Sequence, residues 1–295
     1  MDIKKSGMVA IVGRPNVGKS TLVNALAGEK IAIVSDKPQT TRNRISGIIN
    51  RGDTQYVFID TPGFHTPKSH LGEYMVNIAG ESIAGVDVVI MMVAPVANVG
   101  EIEKGIISRL RASNVPSILL INKIDTVQKS EIMRVIEAYS SEFEFKSIIP
   151  VSAYKGDGLD LIYDELAPFI PDGCALFPED MISDQPEKQM ISEIIREKLL
   201  RFLNHEIPHG TAVEITRFSE RDNGIVDVCA TIYCERESHK GIIIGKKGAT
   251  LKRIGESARV ESERFMGTKV YLELWVKVKE NWRDNDVLIK NFGYE

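Results

Sequence analysis

Two short stretches carry glycine and lysine in patterns that could grip phosphate. Gly13-Arg14-Pro15-Asn16-Val17-Gly18-Lys19-Ser20-Thr21 fits G-x-x-x-x-G-K-[ST], in which glycines let backbone N–H groups curl around phosphate. A helix opening at Lys19 would add its positive end, Lys19 would reach the outer phosphates, and the Ser20 hydroxyl would ligate Mg²⁺. The second stretch, Gly245-Lys246-Lys247-Gly248, is different chemistry: no Ser or Thr follows its GK pair, and no buried strand precedes it. It cannot work as a second loop of the first kind.

Three further stretches follow the first loop in order. Asp60-Thr61-Pro62-Gly63 closes an apolar run, placing a carboxylate for a metal's water shell and a glycine N–H that can sense a terminal phosphate. Asn122-Lys123-Ile124-Asp125 closes another run. The Asp125 carboxylate can accept two hydrogen bonds, from guanine N1–H and its 2-amine, whereas adenine offers no such pair. Leaving that carboxylate unpaired supports discrimination of roughly 10⁴-fold. Val151-Ser152-Ala153 ends a third run, where backbone N–H groups can meet guanine O6. Each tetrapeptide alone is an ordinary turn after a strand; four in order select GTP.

The elements that must hold these residues are legible from periodicity. Met8–Val12 reads as a buried strand and 19–28 as a helix. Residues 45–50 and 55–60 read as paired strands, and strands over 86–93, 117–122 and 147–151 alternate with helices over 101–112, 130–139 and 158–169. Alternation of this kind implies right-handed crossovers and a doubly wound, mostly parallel sheet, an α/β fold. Residues 171–187, rich in Pro and Asp and without period, are expected to link residues 1–170 to a second, α+β domain over 188–295. There the order is αββααβ, with paired strands near 211–218 and 225–234 and a last strand over 269–278. Trp275 is expected in the core, while Trp282, Phe292 and Tyr294 either pack on this domain or meet its ligand.

Length supports two domains. The chain is weakly acidic, net −4, yet from Lys188 onward 19 Lys and Arg face 17 Asp and Glu, leaving 18 against 24 in front. Two halves of opposite sign suit different partners. Three irregularly spaced cysteines make neither a disulfide framework nor a metal site. The longest apolar runs fall short of a membrane span or a secretion signal.

The front half resembles the translation-factor branch of P-loop GTPases. That resemblance implies a GTP/GDP site with Mg²⁺ held by Ser20, Asp60 and a switch threonine, one of Thr40 and Thr41, with Thr41 favoured. Phe64 stands where Ras-like enzymes carry a water-orienting Gln, so hydrolysis needs Lys19, Mg²⁺ and help from elsewhere. In relatives that lack the Gln, an asparagine at the position of Asn16 helps hold a K⁺ that replaces an arginine finger; the bland reading is that Asn16 only shapes the loop. Lys19, Thr41, Gly63 and Asn16 are thus the expected catalytic set, and a slow intrinsic rate is expected.

Ile244 through Gly248, flanked by helical patterns, resembles the GXXG loop of a KH domain, which clamps the backbone of about four single-stranded nucleotides. Residues 238–255 carry Lys240, Lys246, Lys247, Lys252 and Arg253 and no acidic residue, a field that attracts phosphate. Ile244, Gly245, Lys246, Lys247, Gly248, Lys252 and Arg253 are the expected RNA contacts. Together the halves resemble the bacterial ribosome-assembly GTPases that end in a type II KH domain, along essentially the whole chain. The family implies binding to the 3′ end of 16S ribosomal RNA, assistance to small-subunit maturation, a monomer, and a cytoplasmic protein with peripheral inner-membrane association. A GTPase whose KH fold docks protein rather than RNA is the competing reading.

Overall fold

The computed structural model describes residues 3–294, which form two compact units. The first takes the chain up to Ala32, Thr41–Lys68 and Gly72–Asp184. Its sheet has six strands, β1 (Lys5–Val12), β2 (Ile45–Arg51), β3 (Thr54–Asp60), β4 (Val88–Val93), β5 (Ser117–Ile121) and β6 (Ile148–Pro150), in the order β2-β3-β1-β4-β5-β6. Only β2 runs antiparallel to its neighbour, joined to β3 by a tight turn. β4 (VVIMMV) and β5 (SILLI) are buried along their whole length, as strands covered by helices on both faces must be. The helices are α1 (Lys19–Ala27), α2 (His70–Glu81), α3 (Glu101–Ser113), α4 (Lys129–Ser140) and α5 (Leu159–Leu166). Every parallel strand therefore ends at one edge, where loops collect.

Two features differ from expectation. Residues 70–81 form helix α2, a stretch to which the periodicity assigns no element. The expected linker is no free tether, since Pro171–Asp184 lies along the first unit. Gln55 accepts from Leu176 N and Phe177 N (2.8 and 2.9 Å) and donates to Phe177 O (3.0 Å). Ser46 Oγ donates to Asp184 Oδ2 at 2.7 Å, and Ile48 N donates to Ile182 O at 2.9 Å. The segment satisfies the open edge of β2, which its Pro-rich composition does not announce.

The second unit holds residues 185–294 together with Ile33–Thr40 and Ser69–Leu71. Its sheet, β7 (Ala212–Glu220), β8 (Val226–Cys234) and β9 (Val270–Val278), has β8 in the middle, antiparallel to β7 and parallel to β9. Helices α6 (Glu187–Phe202), α7 (Glu237–Ile244) and α8 (Ala249–Met266) cover one face, and α9 (Asp286–Asn291) lies in the tail. Trp282 is fully buried, donating to Gly210 O at 3.0 Å with Phe292 and Tyr294 rings beside it; all three pack. Trp275 departs from expectation. It is 58% exposed, because on β9 residues 272, 274 and 276 turn toward the helices and alternation sends 275 to the open face.

Arg196 of α6 is 1% exposed and pairs with Glu193, while a second guanidinium bond goes to Thr40 O. Val34 N donates to Glu197 Oε1 at 3.0 Å. Ile33–Thr40 is thereby held to α6 by its backbone.

Candidate nucleotide and nucleic-acid sites

The first loop leaves β1 at its carboxyl end and enters α1. Gly18 has φ 105°, and a Cβ there would meet Asn122 Nδ2 at 2.3 Å, so no other residue fits. Val17 is buried in the core and offers the site only its backbone, whereas Asn16 is exposed, with φ 63°. Lys19 is buried, its ammonium reaching Arg14 O at 3.0 Å and Gly13 O at 3.4 Å. Burial lowers its pKa to about 8, against the pull of Asp60.

Ser20 and Thr21 open α1. Ser20 Oγ lies 2.8 Å from Thr41 Oγ1 and donates to Asp60 Oδ2 at 2.5 Å, and Thr41 Oγ1 is 3.3 Å from the same carboxylate oxygen. Thr40 faces elsewhere, donating to Lys37 O at 2.6 Å. Asp60 is fully buried, its other oxygen Oδ1 has no hydrogen-bond partner, and burial raises its pKa. Two hydroxyls and a carboxylate with a spare buried oxygen form a hard, all-oxygen donor set of the kind Mg²⁺ prefers.

Thr61 is fully buried, and its hydroxyl donates to Ile11 O at 2.6 Å. Its hydroxyl thus ties the end of β3 to β1, leaving its backbone as the part that could face the nucleotide. Pro62 is buried too, and Gly63 lies so near the loop that a Cβ would meet Pro15 N at 2.4 Å. Phe64 N donates to Gly13 O at 3.0 Å, and its ring is buried under the Arg109 guanidinium. An apolar, buried side chain here cannot orient water.

At the base end, Asn122 is a pin. It donates to Val17 O at 2.8 Å and accepts from Ala153 N at 2.9 Å, so the Ala153 N–H expected to face guanine O6 is already engaged. Ser152 Oγ donates to Asp125 Oδ1 at 2.7 Å, fixing the carboxylate. Lys123 Nζ spans to Asn16 O at 2.7 Å. Residues far apart in sequence thus converge because all follow strands ending at one sheet edge.

In the second unit Gly245 ends α7 with φ 74°, and a Cβ would meet Thr250 Oγ1 at 2.2 Å. Lys247 (φ 52°) and Gly248 (φ 80°) are also left-handed, turning the loop sharply into α8. Beside it runs a groove of about 440 Å³ between α8 and β9, lined by Gly248, Leu251, Lys252, Gly255, Glu256, Arg259, Leu272 and Leu274. Sequence reasoning found Gly248 and Lys252 but missed the apolar lining, because Leu272 and Leu274 are ordinary strand residues until α8 is laid against them. Arg253 lies elsewhere, its guanidinium 4.3 Å from the Phe202 ring centroid. Ile244 is not among the lining residues.

A strand-loop-helix phosphate cradle with a base-end carboxylate, followed by a GXXG loop in an αββααβ unit, defines a P-loop GTPase with a C-terminal KH domain. Family models agree: residues 8–123 match the 50S ribosome-binding GTPase model and 206–283 the KH domain model. The chain is 52% identical over 291 residues to GTPase Era of Ruminiclostridium cellulolyticum, covering 99% of this chain and 98% of that one. It is 53% identical over 292 residues to GTPase Era of Clostridioides difficile, covering 98% of each. The chain belongs to the Era family of GTPases, and hydrolysis of GTP is its activity. Among solved structures it superposes with TM-score 0.95 and 40% identity, over 99% of both chains, on Era in complex with MgGDPNP and nucleotides 1506–1542 of 16S ribosomal RNA. The match to a point variant of Aquifex aeolicus Era bound to GDP·AlF4⁻ has TM-score 0.94 and 41% identity, over 98% of this chain and 99% of that one. Among the described residues no helix is long and apolar enough to cross a membrane.

Proposed function

We propose that this GTPase is a switch that grips the single-stranded 3′ end of small-subunit ribosomal RNA and assists maturation of that subunit. The observation that carries the reading is the GXXG turn opening onto an apolar groove. Gly245–Gly248 would hold the sugar-phosphate backbone, with Lys246, Lys247 and Lys252 supplying charge, while Leu251, Leu272 and Leu274 would receive bases. Near-complete superposition on an Era structure that holds such an RNA supports it.

In the first unit Ser20, Thr41 and Asp60 would hold Mg²⁺, which would offset charge developing in the transition state. Lys19, whose ammonium rests on the Arg14 and Gly13 carbonyls, would exchange them for phosphate oxygens. Asp125, oriented by Ser152, reads guanine. Asn16, exposed on the loop, would help hold K⁺ in place of the absent glutamine. We place the protein in the cytoplasm, any contact with the inner membrane being peripheral.

The test is affinity for a short RNA copied from the 3′ end of small-subunit ribosomal RNA, measured at one salt concentration with a non-hydrolysable GTP analogue and with GDP. Tighter binding with the analogue is expected, and by linkage the RNA then favours GTP equally. Equal binding would leave two independent modules; none in either state would send the search to a protein partner.

A further inference from the structure

Arg14 stands second in the phosphate loop, yet its side chain turns away from the cradle. Its guanidinium pairs through Nε with Glu103 in the first turn of α3. Glu103 is only 7% exposed, and a carboxylate this buried is stable when charged only with a partner. The opening turn of α3 adds favourable helix-end charge. Gly100, just before the helix, makes room for the pair, since a Cβ there would meet Arg14 Nη2 at 2.7 Å and Glu103 Oε2 at 3.0 Å.

The backbone of the same residue carries the other half of the argument. Arg14 O is the nearest acceptor of the Lys19 ammonium, at 3.0 Å, and the preceding carbonyl, Gly13 O, accepts from Phe64 N. The peptide units that hold Lys19 and the start of the Phe64 segment are therefore the ones the Arg14 side chain moors. Asn122 and Lys123 hold the later carbonyls of the loop, Val17 O and Asn16 O, and Phe64 N holds Gly13 O, which leaves the ion pair to α3 as the side-chain tie at Arg14 itself.

We propose that Glu103 is a positioning residue for GTP hydrolysis, acting through Arg14 to hold the phosphate loop, and with it Lys19, in register. Neither side chain touches nucleotide in this scheme. The inference rests on reading Gly13–Thr21 as the GTP site, which wild-type GTPase activity tests separately.

The experiment compares steady-state GTP hydrolysis in Mg²⁺ by the full-length wild type, E103Q, R14Q and the R14Q/E103Q double variant, with thermal unfolding of each. Displacing a catalytic group by about 1 Å can cost up to about 10²-fold in rate. Each single variant is expected to lose roughly tenfold or more in kcat, KM for GTP to move less, and the double to lose no more than the worse single, as coupled partners should. Wild-type rates in E103Q would overturn the proposal, as would additive losses in the double variant or losses that track only a lower unfolding midpoint. Should the wild type itself fail to hydrolyse GTP, the reading of the site falls instead.

Discussion

Ser20 Oγ and Thr41 Oγ1 lie 2.8 Å apart although they are distant in sequence, and both contact Asp60. Thr40, one residue earlier, points its hydroxyl to Lys37 O. The two adjacent threonines should therefore respond differently. T41A is expected to abolish most Mg²⁺-dependent hydrolysis, by on the order of 10²-fold or more, while T40A keeps the Mg²⁺ dependence of the wild type. Rates measured across a Mg²⁺ titration decide it, and equal defects in both variants would remove Thr41 from the metal set.

Lys19 makes nucleotide affinity depend on pH in an unusual window. Burial holds its pKa near 8 rather than 10.5, and only the charged form attracts phosphate. Affinity for GDP should be constant below about pH 8 and weaken as pH rises through it, by up to about tenfold per pH unit, with proton uptake on binding. The sign for folding is opposite. Between about 8 and 10.5 the unfolded chain binds more protons at this position than the native one, so this residue's contribution to stability grows with pH there. Calorimetry of GDP binding in two buffers at about pH 9 reads the uptake directly. Affinity that stays flat to about pH 10 would mean Lys19 is not depressed.

Asp125 sets base choice. In D125N an amide donor faces the guanine N1–H and 2-amine, so donors meet donors; affinity for GTP should fall on the order of 10⁴-fold. Xanthine carries a carbonyl at C2 and should gain what guanine loses. Competition of GTP and XTP for the variant checks the exchange, and Ser152→Ala, which frees the carboxylate it orients, should show a weaker loss without the swap.

How far the sequence spoke depended on whether chemistry or packing fixed each residue. Gly18, Lys19, Ser20, Asp60, Asn122 and Asp125 were legible because phosphate, metal and guanine demand those types at those spacings. The Thr61 hydroxyl ties β3 to β1; a short motif cannot say which hydroxyl turns inward. Glu103, Leu272 and Leu274 were invisible, since an acidic residue at a helix start and leucines in a strand gain meaning only from the element laid against them. Residues 171–184 read as a tether because composition reports the lack of period, not the edge of β2 that the backbone satisfies.

On the second unit, replacing Gly245 and Gly248 with Asp should abolish binding of the ribosomal RNA 3′ segment, since the φ of 74° and 80° and the added negative charge both oppose the loop. GTP hydrolysis should stay close to wild type, the substitutions lying in the other unit. K252A should weaken every RNA alike and reduce the salt slope by about 1, whereas L274A should weaken binding with little change in slope. Unchanged RNA affinity in the aspartate variant would favour a KH fold that docks protein.

Phe64 leaves hydrolysis without a side chain to polarise water, and its burial under Arg109 keeps it from moving into that role cheaply. The negative charge that develops between the β- and γ-phosphates then needs a cation beyond Mg²⁺ and Lys19. Arg14, the guanidinium within the loop, is committed to Glu103, and Lys123 to Asn16 O. If a monovalent ion beside Asn16 supplies that positive charge, K⁺ should stimulate kcat several-fold over Na⁺ at equal ionic strength, with N16A losing the stimulation and retaining its basal rate in Na⁺. Equal rates in the two salts would leave Asn16 as a residue that only shapes the loop and would move the missing charge to a partner.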